Sequence, residues 1–71
     1  MARAGASEDL LRELAPRVLG ALTRRYGQFE DCEDAVQEVL LAAAVQWPVE
    51  GDPRSPETWL MTVARRSLAD R

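Results

Sequence analysis

A chain of 71 residues can bury one small core, and this one lacks the usual staples: its single cysteine, Cys32, and absence of histidine exclude an intrachain disulfide and a zinc site. The hydrophobic share is 46%, but the longest apolar run, Val39 to Val45, is far too short to cross a bilayer, and the opening residues lack the apolar stretch of a signal peptide. Net charge is −3 and unevenly spread: five arginines against three carboxylates in residues 1–27, seven carboxylates and no base in 28–53, four arginines against two carboxylates in 54–71.

The expectation from these bounds is a soluble cytoplasmic domain with a reduced thiol and no membrane contact. An acidic middle between basic ends fits two partners of opposite sign, or simply solvated faces.

The first helix is expected over residues 8–26, after a flexible N-terminus at 1–7. Ser7 stands as an N-cap, Glu8 and Asp9 suit the positive helix end, and Leu10, Leu11, Leu14, Val18, Leu19, Leu22 and Tyr26 recur at helical spacing. Pro16 interrupts this pattern and predicts a kink, or a helix that begins near it. Gly27 closes the segment as a C-cap. The second helix is expected over 31–47, ended by Pro48, and a turn-rich connector follows at 48–54. Ser55, with Pro56 and Glu57 behind it, starts a third helix over 55–70. No segment alternates like a strand. The fold class is all-α, a compact three-helix domain over residues 8–71.

At about 100° per residue, one side of the second helix carries Cys32, Ala35, Val36, Val39, Leu40, Ala43 and Trp47, an ordinary core face. The opposite side lines up Asp34, Gln37, Glu38, Leu41, Ala44 and Val45, carboxylates at one end and aliphatics at the other. A helix apolar on two sides is usually covered on both. Either the neighbouring helices cover Leu41 and Val45, or this face is a protein-docking stripe that meets a basic surface. On the third helix, Leu60, Val63, Ala64, Ser67 and Leu68 face inward, while Thr62, Arg65, Arg66 and Ala69 face out. Arginine forks suit phosphates and guanine edges, though a solvated face needs no ligand. Trp59 sits on the border, as a buried side chain or as a platform for a base.

Catalysis finds no support in this pattern. Histidine is absent, no nucleophile accompanies the carboxylates, and the scattered glycines form no phosphate-binding loop. Cys32 falls on the core face and reads as a small buried hydrophobe. No metal or cofactor is implied.

The run Asp31-Cys32-Glu33-Asp34-Ala35-Val36-Gln37-Glu38-Val39-Leu40-Leu41-Ala42-Ala43, followed by Trp47-Pro48 and then Trp59-Leu60-Met61-Thr62-Val63-Ala64-Arg65-Arg66, resembles conserved region 2 of sigma-70 family factors. It is most similar to the extracytoplasmic-function (ECF) group, and the likeness extends over about residues 8–71. The resemblance implies a transcription initiation factor domain, not an enzyme. It implies that the acidic helix docks on the clamp helices of the polymerase beta-prime subunit through Asp34, Gln37, Glu38 and Leu41. It further implies that the third helix meets the promoter −10 element through Arg65 and Arg66, with Trp59, Thr62, Arg54 and Arg71 beside them. The connector 48–55 would then hold a base flipped out of the strand. An anti-sigma factor is a further partner the family admits.

Two other readings compete. A stand-alone helix-turn-helix DNA binder joins its last two helices by a turn of three or four residues, against an expected connector of about seven with two prolines. A purely protein-binding bundle would leave the outward pair Arg65 and Arg66 without a role.

Overall fold

The computed structural model describes residues 3–70, with side chains from Glu8 onward. Three helices follow one another: α1 (Arg3–Tyr26), α2 (Phe29–Glu50) and α3 (Pro56–Ala69), and no strand occurs among the described residues. At 1.5 Å per residue the 24-residue α1 is about 36 Å long and sets the 39 Å length of a molecule only 20 Å across.

The core is the one expected from the periodicity, except that Tyr26, at the end of the apolar pattern of α1, is exposed. Leu11, Leu14, Val18 and Leu22 of α1 meet Cys32, Val36, Val39, Ala43 and Trp47 of α2 and Leu60 and Ala64 of α3. Leu40, Trp59, Val63 and Leu68 pack on its margin. No helix among the described residues is long and apolar enough to cross a membrane.

The helix ends depart from expectation in ways that matter later. The first helix begins at Arg3, so Ser7 lies inside it and is no N-cap; the stretch expected to be flexible is helical at 3–7, while Met1 and Ala2 lie outside the described residues. α1 runs through Pro16 as one element. Proline removes the bond to the carbonyl four residues back, here that of Arg12, and both residues are exposed, so water can take over that carbonyl. α2 begins at Phe29, with Gln28 as its N-cap, so Asp31 sits in the first turn, where its charge still suits the helix end.

The same logic corrects the end of α2. Pro48 does not stop the helix, which continues to Glu50. The bond it removes is to Ala44, whose residue is again exposed, and burial of the preceding Trp47 outweighs the restriction proline places on its backbone. The true stop is Gly51, at φ 93°, whose N–H closes on the Trp47 carbonyl at 2.7 Å. Gly27, at φ 80°, ends α1 as expected, its N–H on the Thr23 carbonyl at 2.7 Å. Ser55 does stand at the N-cap of α3, but its hydroxyl makes no capping bond. The connector is thus residues 51–55.

Cross-helix contacts give the directions. Trp47 meets Trp59 edge to face, with centroids 5.4 Å apart and planes at 72°, while Glu38 meets Ser67, so α2 and α3 are antiparallel. Arg17 pairs with Glu57 at 3.5 Å, and Tyr26 shares a cleft with Arg65, so α1 and α3 run parallel.

Candidate functional site

The outward face of α2 is open along its length. Asp34, Gln37 and Glu38 are exposed, and Leu41 and Val45 are 70% and 74% exposed. The possibility that α1 and α3 cover the aliphatic end is therefore overturned. Both helices pack against the other side, where Cys32, Ala35, Val36, Val39 and Ala43 are buried. Because α2 runs past Pro48, Val49 extends the row at the same four-residue step and is 83% exposed. Sequence reasoning assigned Val49 to a loop and missed it; its spacing from Leu41 and Val45 was the available signal.

The acidic end is not uniform. Glu38 Oε1 accepts a hydrogen bond of 2.6 Å from Ser67 Oγ, which ties it to α3 and fixes its carboxylate at one edge of the face. Asp34 lies one turn further toward the N-terminus, and Gln37 directly precedes Glu38. The result is a stripe with carboxylates at the end where α2 begins and bare aliphatics at the end where it stops. Such a stripe can pair with cations and bury apolar area in a single contact with an elongated partner.

The second face belongs to α3 and the connector. Thr62, Arg65, Arg66 and Ala69 are exposed together, as expected, and Arg54 is exposed in the connector. Trp59 is half-buried, held edge-on by Trp47, which leaves part of its ring open beside the connector. Arg71 lies outside the described residues. The connector expected at 48–55 is shorter than that, since residues 48–50 are helical. The indole Nε1 of Trp47 is buried without a hydrogen-bond partner.

Sequence reasoning also passed over α1. Arg24 and Arg25 line a groove with Ala21 and with Met61 of α3, which lies one helical turn before Arg65. Among the described residues, no group of three or more His, Cys, Asp or Glu could hold a metal ion. Cys32 is fully buried in the core.

The family model for sigma-70 region 2 matches residues 10–71, which takes in all of α2, α3 and most of α1. An uncharacterized protein of Rhizobium meliloti (strain 1021) is 39% identical over 56 residues, 79% of this chain but 13% of the relative. The chain thus spans a small part of the curated relative it matches. No solved structure matches it.

Proposed function

Since the chain belongs to the sigma-70 region 2 family, we propose that it is the polymerase-docking and promoter-reading domain of an ECF-type transcription initiation factor. The open stripe on α2 carries this reading. A three-helix domain that must make its own core has no use for Leu41, Val45 and Val49 in water, beside a cluster of carboxylates. A positively charged helical surface would satisfy both ends of the stripe, and the beta-prime clamp helices of core RNA polymerase are the partner assigned to it here. The polymerase contacts are Asp34, Gln37, Glu38 and Leu41, with Val45 and Val49 continuing the apolar part.

The promoter contacts are Arg65 and Arg66, with Thr62 and Arg54 alongside. The half-open Trp59 supplies a surface on which an unstacked base of the −10 element can rest. A domain of net charge −3 binds free duplex poorly, because phosphate neutralisation supplies most non-specific affinity. DNA reading therefore follows polymerase docking. Control by an anti-sigma factor belongs to the same reading. The helix-turn-helix alternative gains from the shorter connector, but leaves the α2 stripe unexplained.

The test is charge reversal on the stripe. Asp34→Arg with Glu38→Arg should abolish capture by core polymerase, because charge pairs at interfaces are worth about 1.5–7 kcal/mol each. Ser67→Ala alone controls for loss of the Ser67–Glu38 bond. Helical content should match the parent. Capture of core enzyme at parental affinity by the doubly reversed protein would refute the docking assignment.

A further inference from the structure

The seam between α1 and α3 changes character along its length. Both helices run the same way, so each four-residue step on one is matched by a step on the other. At one end Arg17 pairs with Glu57, opposite charges 3.5 Å apart. One step on, Ala21 and Met61 share an apolar groove, with Arg24 and Arg25 on its α1 wall. The next step leads to Arg25 on α1 and Arg65 on α3, and Tyr26 and Arg65 line one cleft there. By this register the opposite charges of the first step give way to like charges at the third. Among the described residues, Arg24, Arg25, Arg65 and Arg66 are exposed and make no ion pair, whereas Arg12 and Arg17 each have a carboxylate.

Two helix C-termini meet at this end, and their partial negative charge favours basic residues in the last turn. That effect acts on each helix separately and does not require the cations to converge across a seam. Convergence has a use if an anion lies between them. The floor of the groove, Ala21 and the unbranched Met61, is low and adaptable, so a phosphate has room beside Arg24 and Arg25, with Arg65 one helical turn beyond Met61. Asp31 lines the Tyr26 cleft together with Arg65 and disfavours an anion inside it, so the seat lies toward Arg24 and Arg25.

We propose that Arg24 and Arg25 of α1 form, with Arg65 of α3, a clamp on the phosphodiester backbone of the DNA that α3 reads. The domain then holds promoter DNA with two helices. α3 supplies base and phosphate contacts, and α1 supplies phosphate contacts that set the orientation of the strand without reading its sequence. The clamp rests on the promoter-binding reading above, and its test separates the two.

The measurement is the salt dependence of promoter binding by the polymerase complex that contains the protein. Each neutralised phosphate contributes about 0.9 to the slope of log K against log salt. Arg24→Ala with Arg25→Ala should make the slope shallower by about 1.8, so that roughly tenfold less affinity is lost between about 50 and 200 mM salt. Arg24→Lys with Arg25→Lys should keep the parental slope. Capture of core polymerase should be unchanged in both, and the loss should be equal on promoters that differ in −10 sequence.

A parental slope in the Arg24→Ala, Arg25→Ala protein, with a reduced slope in Arg65→Ala, Arg66→Ala, overturns the clamp and leaves the α3 assignment standing. Parental slopes in both, with polymerase capture intact, overturn the promoter-binding reading as well. Weakened polymerase capture by the α1 variant also overturns the clamp, because it places these arginines at a protein contact.

Discussion

Truncating the aliphatic row of α2 separates docking from folding, because the two should respond with opposite sign. Leu41→Ala, Val45→Ala and Val49→Ala together delete about seven carbons, worth roughly 0.8 kcal/mol each when fully buried. In the free domain these side chains are 70%, 74% and 83% exposed, so that fraction of the value is available only to a partner. The upper bound on lost docking energy is then about 4 kcal/mol. Interfaces realise only part of such area, since binding also orders side chains, so a loss of about 2 kcal/mol is expected, roughly thirtyfold in affinity. Folding should not suffer. Alanine is the better helix former by up to about 0.7 kcal/mol per site, and so little of these side chains is buried that the melting temperature should hold or rise. The assay pairs a competition measurement of core polymerase affinity with a thermal melt followed by circular dichroism. Parental affinity in the triple variant would show that the row docks on nothing in the polymerase. A melting temperature lowered by the equivalent of more than about 1 kcal/mol, roughly 4–8 °C for a domain of this size, would show that the row serves the domain's own packing.

Two further perturbations test the scaffold. Gly51→Ala places a side chain at φ 93°, a conformation that L residues rarely adopt, and should destabilise by about 1–2 kcal/mol in a denaturant melt, even though the space around it is open. Stability equal to the parent would argue that Pro48, not Gly51, ends α2. Leu60→Ala empties a fully buried site where all three helices meet and should cost about 2–5 kcal/mol, enough to abolish cooperative unfolding in a core this small; a sharp transition at the parental midpoint would contradict the packing.

The periodicity of α2 and α3 gave the core faces directly, down to Cys32 and Ala64, because burial on a helix follows a 3.6-residue repeat whatever the partner. Helix ends were less legible, and at the end of α2 proline was the reason. A proline removes one donor, but how much that matters depends on whether the orphaned carbonyl faces water. At Arg12 and Ala44 the residue is exposed, a fact the local sequence does not contain. Misplacing that end hid Val49 and lengthened the apparent connector. The openness of Leu41 and Val45 was equally undecidable, since the pattern shows two apolar sides of α2 but not on which of them α1 and α3 both settle. The α1–α3 seam lay further out of reach. Its register pairs residues forty apart, Arg17 with Glu57, and emerges only when α2 has turned the chain back twice.

The charge pattern ties the two proposed contacts together. Residues 28–53, which include all of α2, hold seven carboxylates and no base, and the remainder of the chain carries nine arginines against five carboxylates. In the free domain the acidic helix opposes the approach of DNA to the arginines on the adjoining helices, over distances comparable to the screening length of about 8–10 Å. A basic partner seated on the stripe cancels that field without touching α3. What then faces the promoter is a surface of net positive charge, with Arg65 and Arg66 toward the bases and Arg24 and Arg25 toward the backbone. On this reading polymerase docking does more than deliver the domain to a promoter. It removes the electrostatic barrier that keeps the free domain off DNA, so affinity for promoter and affinity for polymerase are coupled through one helix. Neutralising the stripe by Asp34→Asn and Glu38→Gln should therefore raise the affinity of the free domain for duplex DNA at low salt. The gain should vanish as salt rises, and an equal gain at high salt would break the argument, because screened charges cannot produce it.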